Sequence, residues 1–268
     1  MNSPGAVPPP AGSPVQVLQA AWPAPPRVRA VVTQRTGGVS RTPFDTLNLA
    51  AHVGDDPAAV AENRRRLRAS LALPAEPLWL SQMHGAGVLD ADRQGSRGEV
   101  SIAPPPQADA AVTRTAGRVL AVLIADCLPV LFARRDGAAV AVAHAGWRGL
   151  AAGVLEATVA ALGCPGGELH AWLGPGIGPR HFEVGAEVRA AFCERDARAA
   201  QAFAPNARGR WQCDLAGLAR LRLAGLGVRS VHGTPSCSFE DAQGFYSYRR
   251  DGRTGRVAAL IWLTPASA

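Results

Sequence analysis

A chain of 268 residues with 47% hydrophobic content is long enough for one large domain or two small ones and apolar enough to bury a sizeable core, which excludes a disordered polypeptide. No apolar run reaches the ~18 to 20 residues of a spanning helix, and five widely spread cysteines without a C-x-x-C pair exclude a disulfide scaffold and a zinc ribbon. All 28 basic residues behind the net charge of +7 are scattered arginines, so no nucleic-acid partner is expected, and the absence of lysine excludes a P-loop lysine, a lysine Schiff base and a pyridoxal-phosphate site. A reduced cytoplasmic protein with no membrane partner is the expectation.

The first 26 residues hold eight prolines and no arginine, and are read as a disordered, partly polyproline leader with no signal-peptide features. Val28 to Thr33 reads as a strand entering the Thr36-Gly37-Gly38 turn. Asp55-Asp56-Pro57 supplies an N-cap and a first-turn proline, and the spacing of Ala59, Val60, Asn63, Leu67 and Leu71 predicts a helix over about 57–71. Leu78 to Gln82 reads as a buried strand with His84 in the turn just past it. Gly95 to Gln107, rich in glycine and proline, is the expected mobile loop.

Four strand-length apolar segments follow in quick succession, Asp109 to Thr113, Val119 to Ile124, Val130 to Ala133 and Ala139 to Ala143, as if one sheet were being built. Cys127 falls in a break between two of them and His144 at the end of the last. Gly149 to Leu162 has a helical pattern, Leu169 to Leu173 reads as a strand, and helices are expected near 184–196 and, capped by Asp214, near 215–225. Val257 to Leu263 closes the chain as a strand. Without repeats or a linker, one mixed α/β domain over residues 27–266 is the simplest description.

His84, Cys127 and His144 each occupy a turn directly after a strand-like segment, and strand ends on one sheet edge bring side chains together across long sequence separations. Two imidazoles and a thiolate suit zinc, or copper, and three protein ligands leave the position that catalytic sites reserve for water or substrate. The same residues allow a second reading, in which Cys127 is a nucleophilic thiolate activated by His144 or His84, with Asp126 or another acid orienting the base. Trp147 offers a flat face to a ring and Arg148 a guanidinium to an anion. The Gly174-Pro-Gly-Ile-Gly-Pro179 loop lacks the order of a dinucleotide fingerprint and reads as structural. His52, His170, His181 and His232, and the four other cysteines, read as structural residues.

Several strings in this order carry a resemblance: Thr33-Gln-Arg-Thr-Gly-Gly-Val-Ser40, Gly54-Asp55 with Asn63-Arg64, Gln82-Met-His-Gly85, Ala125-Asp-Cys-Leu-Pro129, His144-Ala-Gly-Trp-Arg-Gly149, Leu173-Gly-Pro-Gly-Ile177, Phe245-Tyr-Ser-Tyr-Arg-Arg-Asp251 and Thr254-Gly-Arg256. From about residue 28 to 264 the chain resembles the bacterial laccase-domain family, whose members are also called polyphenol-oxidase-like proteins, purine nucleoside phosphorylases or peptidoglycan-editing factors. The resemblance implies a layered αβ sandwich with mixed β-sheets, similar to cysteine-hydrolase-like toxin domains. It also implies one zinc held by His84, Cys127 and His144, which double as the catalytic residues.

The implied activity is phosphorolysis of adenosine, inosine and methylthioadenosine to free base and ribose 1-phosphate, with some adenosine deamination. Nucleoside and phosphate are the implied partners, and the oligomeric state stays open, with a monomer the default. An open metal position suits the deaminase half, because a metal activates water, whereas phosphorolysis needs a cationic phosphate site, for which Arg35 and Arg148 are the candidates. The alternatives are a Cys-His amidohydrolase acting on peptidoglycan precursors, a copper-dependent polyphenol oxidase, and a binding protein with a structural metal.

Overall fold

The computed structural model describes residues 14–93, 104–233 and 236–265. In chain order its elements are β1 (Val17–Gln19), β2 (Val28–Thr33), α1 (Pro57–Ser70), β3 (Val88–Asp90), β4 (Ala110–Thr113), β5 (Leu120–Ile124), β6 (Leu128–Arg134), β7 (Val140–Ala145), α2 (Trp147–Ala152), α3 (Val154–Leu162), β8 (Leu169–Leu173), β9 (Glu183–Val184), α4 (Ala186–Cys193), β10 (Phe203–Pro205), β11 (Trp211–Cys213), α5 (Leu215–Gly225), β12 (Ser230–Gly233), α6 (Tyr248–Asp251) and β13 (Val257–Leu263). Where local chemistry suffices, expectation and structure coincide. Asp56 caps α1 by accepting from Ala58 N, with Pro57 in the first turn, and Asp214 caps α5 by accepting from Gly217 N at 2.8 Å.

The strands form a four-stranded antiparallel sheet, β1-β2-β13-β5, and a six-stranded mixed sheet, β12-β8-β6-β7-β4-β3, in which the β12–β8 and β3–β4 pairs are parallel. A small sheet, β10-β11-β9, stands apart from both. Because side chains alternate across a strand, each large sheet contributes to two cores. Val32, Val122, Ile124 and Ala259 from the smaller sheet pack against Ala111, Leu131, Val142 and Trp172 from the larger. The outer face of the larger sheet, with Val112, Phe132, Ala143 and Leu173, is covered by Leu155 and Val159 of α3 and by Leu218 and Leu223 of α5. The outer face of the smaller sheet, with Val31, Leu123 and Leu260, takes Leu67 of α1 together with Leu47 and Leu49. The result is a layered α/β/β/α sandwich, as expected. Among the described residues no helix is long and apolar enough to cross a membrane.

Four expectations change. The four successive apolar strands do not build one sheet: β5 belongs to the smaller sheet and β4, β6 and β7 to the larger, so the chain crosses between sheets at Asp126 and Cys127. Both faces of β5 are buried, and an unbroken apolar run cannot announce which neighbours it takes. Leu78 to Gln82 makes only isolated bridges, Leu78 with Leu120 and Ser81 with Gln107, instead of a ladder. The helix expected over 149–162 is divided by Gly153 at φ +96°, which ends α2 and starts α3. Finally, β1 pairs with β2 well inside the segment read as leader; residues 1–13 of that segment, and most of the expected Gly95 to Gln107 loop, lie outside the described residues.

Candidate active site

One potential ligand atom from each of His84, Cys127 and His144 lies within 4.8 Å of the other two. The fold delivers them from three places. Cys127 stands at the crossover between the two sheets. His144 lies within β7, one residue later than the expected strand end, with Pro129 of β6 as its cross-strand partner. His84 sits in the Met83-His84-Gly85 turn, which presents its ring edge-on to His144 with centroids 4.8 Å apart.

Asp109 holds this arrangement in place and was missed as a functional residue, read only as the start of a strand. Its buried carboxylate accepts the N–H groups of Met83, His84 and Gly85 at 3.1, 2.9 and 2.7 Å. Three donors converging on one carboxylate hold His84 at φ +58°, a conformation rare for a residue with a side chain. The same carboxylate lies 2.9 Å from Nδ1 of His144. A carboxylate only accepts, so Nδ1 carries the proton and Nε2 is left for the centre of the cluster.

The charges follow from these contacts. Burial alone would push the Cys127 thiol up, but the charge and hydrogen bond of His144 and then of His84 outweigh it and bring the thiol down to about 6. Burial would push His144 down, and the Cys127 charge with the Asp109 hydrogen bond raises it to about 9 instead. Asp109 lies below the usual carboxylate range: burial raises it, and the hydrogen bonds from His144, Gly85 and Met83 more than reverse this. Without a metal, thiolate, imidazolium and carboxylate therefore form one charge-alternating chain at neutral pH, and a metal ion bound at Nε2 of His144 would take the place of its proton there.

Asp126, the acid named in the nucleophile reading, is turned elsewhere. Its carboxylate accepts from Ser238 Oγ at 2.7 Å and from the Arg249 backbone N–H at 2.6 Å. It ties the crossover loop to the segment before β13, at φ +88°.

The glycines of the motif strings are close-approach positions. A Cβ on Gly146 would stand 2.7 Å from Cys127 Sγ, and one on Gly149 2.8 Å from the Gly85 carbonyl. In the Gly-Pro-Gly-Ile loop a Cβ on Gly174 would stand 2.7 Å from the Pro129 ring, and Ile177 N donates to the Asp126 carbonyl at 2.8 Å. That loop buttresses the crossover, as the sequence suggests, and its Ile177 also reaches the cavity at the cluster.

The three residues line a cavity of about 410 Å³, within the range of roughly 300–1,000 Å³ typical of small-molecule sites. Trp147, Ile177, Phe182 and Leu215 give it apolar walls, and Arg148, Arg249 and Arg256 bring cations to it. Arg148 lines the cavity, with its guanidinium over the Trp147 ring at 4.4 Å. Arg35 does not reach the cavity. It is bound to Asp45 (Nη2 to Oδ2, 3.3 Å; Nε to the carbonyl, 3.0 Å) and to the Ala242 carbonyl, and stacks on Tyr246. The sequence offered it as a phosphate candidate, but these contacts take up its guanidinium.

Arg249, Arg256 and His52 are cavity residues without a role in the sequence reading. The two arginines stood within the Phe245–Asp251 and Thr254–Arg256 strings, whose signal went unused because nothing local separates a site arginine from a surface one.

A family match covers residues 29–264, under the description multi-copper polyphenol oxidoreductase laccase. The chain belongs to this laccase family. A Pseudomonas aeruginosa relative named purine nucleoside phosphorylase is 56% identical over 243 residues, covering 90% of this chain and 96% of its own length. The Escherichia coli purine nucleoside phosphorylase YfiH is 49% identical over 242 residues, covering 90% and 96%. A crystal structure of a Neisseria meningitidis protein superimposes with a TM-score of 0.86 at 46% identity, covering 92% of this chain and 99% of that one. Laccase-family members thus share this sandwich, and some carry an enzyme's name.

Proposed function

We propose that this laccase-family chain is a zinc-dependent purine nucleoside phosphorylase, converting adenosine, inosine or methylthioadenosine and phosphate into free base and ribose 1-phosphate, with adenosine deamination as a side activity. The observation that carries the reading is one cavity joining the His84, Cys127 and His144 cluster to three arginines, in a chain 56% identical to a relative named for that activity.

The residues suit a metal ion of zinc type. Cys127 is poised as a thiolate, His144 presents Nε2 because Asp109 holds Nδ1–H, and three protein donors leave a position toward the cavity. A zinc ion held there supplies Lewis-acid activation of a water or of a substrate oxygen. Trp147 and Phe182 offer flat apolar faces to a purine, Asp109 keeps the His84 turn and the His144 ring in register, and the arginines answer the charge of phosphate. Gln82 is spent on structure, since its amide exchanges hydrogen bonds with the Leu123 backbone at both ends.

Incubation with adenosine, with and without phosphate, tests the reading. Adenine and ribose 1-phosphate appear only with phosphate, and inosine appears irrespective of it. Base release indifferent to phosphate, or no turnover of any of the three nucleosides, rejects the phosphorylase.

One observation favours a second reading, a Cys-His amidohydrolase acting on peptidoglycan precursors: the Cys127, His144 and Asp109 chain has the order of nucleophile, base and orienting acid. Turnover of a muropeptide precursor with no turnover of nucleosides would establish it. Copper-dependent phenol oxidation is weaker, because among the described residues only this one group of three or more His, Cys, Asp or Glu side chains is spaced to hold a metal.

A further inference from the structure

The described residues place eleven arginines in ion pairs with carboxylates, yet none of the cavity arginines Arg148, Arg249 and Arg256 is among them. Arg256 is half-buried. The negative charges that favour it, Cys127 and Asp126, are already engaged, the thiolate by His144 and His84 and the carboxylate by Ser238 Oγ and the Arg249 backbone N–H, so the guanidinium keeps the capacity to attract a further anion from the cavity.

The hydrogen bonds of Arg249 and Arg256 share one pattern. Nη1 of Arg256 donates to the Thr254 and Gly255 carbonyls at 2.8 and 2.9 Å. Nη1 of Arg249 donates to the Glu183 carbonyl at 2.9 Å, while its guanidinium stands over the Phe182 ring at 5.4 Å. Each guanidinium is thus oriented by backbone oxygens at one end, and its Nε–Nη2 edge, the fork that grips two oxygens of a phosphate at once, has no partner among the described residues.

Neighbouring groups differ in this respect. Arg64, which also lies near the cavity residue His52, gives both Nε and Nη2 to the Leu49 carbonyl. Arg148 makes no hydrogen bond among the described residues and stacks on Trp147, so no backbone oxygen orients its fork toward the cavity. The field at this wall is positive: His52 is held below its ordinary value first by burial and then by the charges of Arg256 and Arg64.

We infer that Arg249 and Arg256 form the anion subsite of the cavity and take inorganic phosphate, the co-substrate of the proposed phosphorolysis, through the Nε–Nη2 edges that their backbone contacts leave free. The inference rests on the phosphorylase reading for the identity of the anion. It replaces Arg35, which the fold spends elsewhere, and leaves Arg148 to the Trp147 face of the cavity.

The test is direct binding of inorganic phosphate to the full chain, followed by calorimetry or ³¹P line broadening, together with the KM for phosphate and for adenosine. Arg249→Met and Arg256→Met each weaken phosphate binding and raise its KM at least about tenfold, with the adenosine KM within about twofold; Arg35→Met, outside the cavity, leaves phosphate binding within about twofold. Arg256→Lys keeps the charge, loses the fork and recovers only part of the affinity. Should Arg256→Met fail to fold, Arg249→Met, at an exposed side chain, decides alone.

Unchanged phosphate binding and KM in the folded variants overturn the subsite even where base release stays phosphate-dependent. Phosphate bound through these arginines without any phosphate-dependent base release would reject the phosphorylase and leave the subsite standing. A wild-type chain that binds no phosphate overturns both.

Discussion

The carboxylate of Asp109 stands 2.9 Å from Nδ1 of His144 and at the same time gathers the N–H groups of Met83, His84 and Gly85. One side chain thereby sets the tautomer of one histidine and the backbone of the other. Asp109→Asn removes the charge and turns part of the acceptor into a donor facing N–H groups. Metal affinity, read by competition with a chromogenic chelator, falls about 10- to 100-fold, and stability in urea falls by at least about 1 kcal/mol.

Gly146→Ala places a methyl group 2.7 Å from the Cys127 sulfur. The thiolate must move by a sizeable fraction of an ångström, and misplacements of that order cost about 100-fold in rate. Nucleoside turnover should fall accordingly while the melting temperature changes by only a few degrees. Unaltered turnover would mean that the geometry of Cys127 is irrelevant to the chemistry.

In metal-free protein, the Cys127 thiolate absorbance near 240 nm should titrate with a midpoint near pH 6 and His144 with one near pH 9. The thiol, depressed on folding, contributes stability above its ordinary value and loses it as pH falls through about 6; the imidazole, raised on folding, contributes fully below 6.5 and loses it as pH rises through about 9. The two contributions trade across that interval, so stability stays nearly level within it, and below about pH 6 the thiol contribution is gone while that of the imidazole is full, which leaves the pair no further pH dependence. Cys127→Ala removes the charge that raises His144, and the His144 midpoint, followed by NMR, drops by at least about one unit.

Asn63 is fully buried and donates to Ser40 Oγ, the Thr46 carbonyl and the Asn48 carbonyl at 2.8, 3.1 and 2.9 Å, while accepting from Val39 N at 2.8 Å. Its motif holds a loop against α1 and has no place in the cavity. Asn63→Ala should cost about 2 to 4 kcal/mol in denaturant unfolding and leave the phosphate KM of the folded fraction unchanged.

Arg35→Met separates the sequence reading from the structural one. Its guanidinium is bound to Asp45 and the Ala242 carbonyl, outside the cavity. The variant should melt earlier and keep phosphate KM within about twofold of the wild type, where a phosphate ligand would lose at least about tenfold.

The sequence by itself determined what short-range chemistry decides. The caps of Asp56 and Asp214 placed α1 and α5, strand-length apolar runs placed β2, β8 and β13, and the motif strings singled out His84, Cys127 and His144. Only the tertiary structure decided the partition of β4 to β7 between two sheets, because strand alternation carries no address for a partner. It likewise decided that Asp109 and not Asp126 orients His144, and that Arg249 and Arg256 and not Arg35 reach the cavity. Those choices rest on hydrogen bonds between residues as far apart as Asp126 and Arg249, and a side chain's partner across such a distance is fixed by how the layers stack and not by the residues beside it.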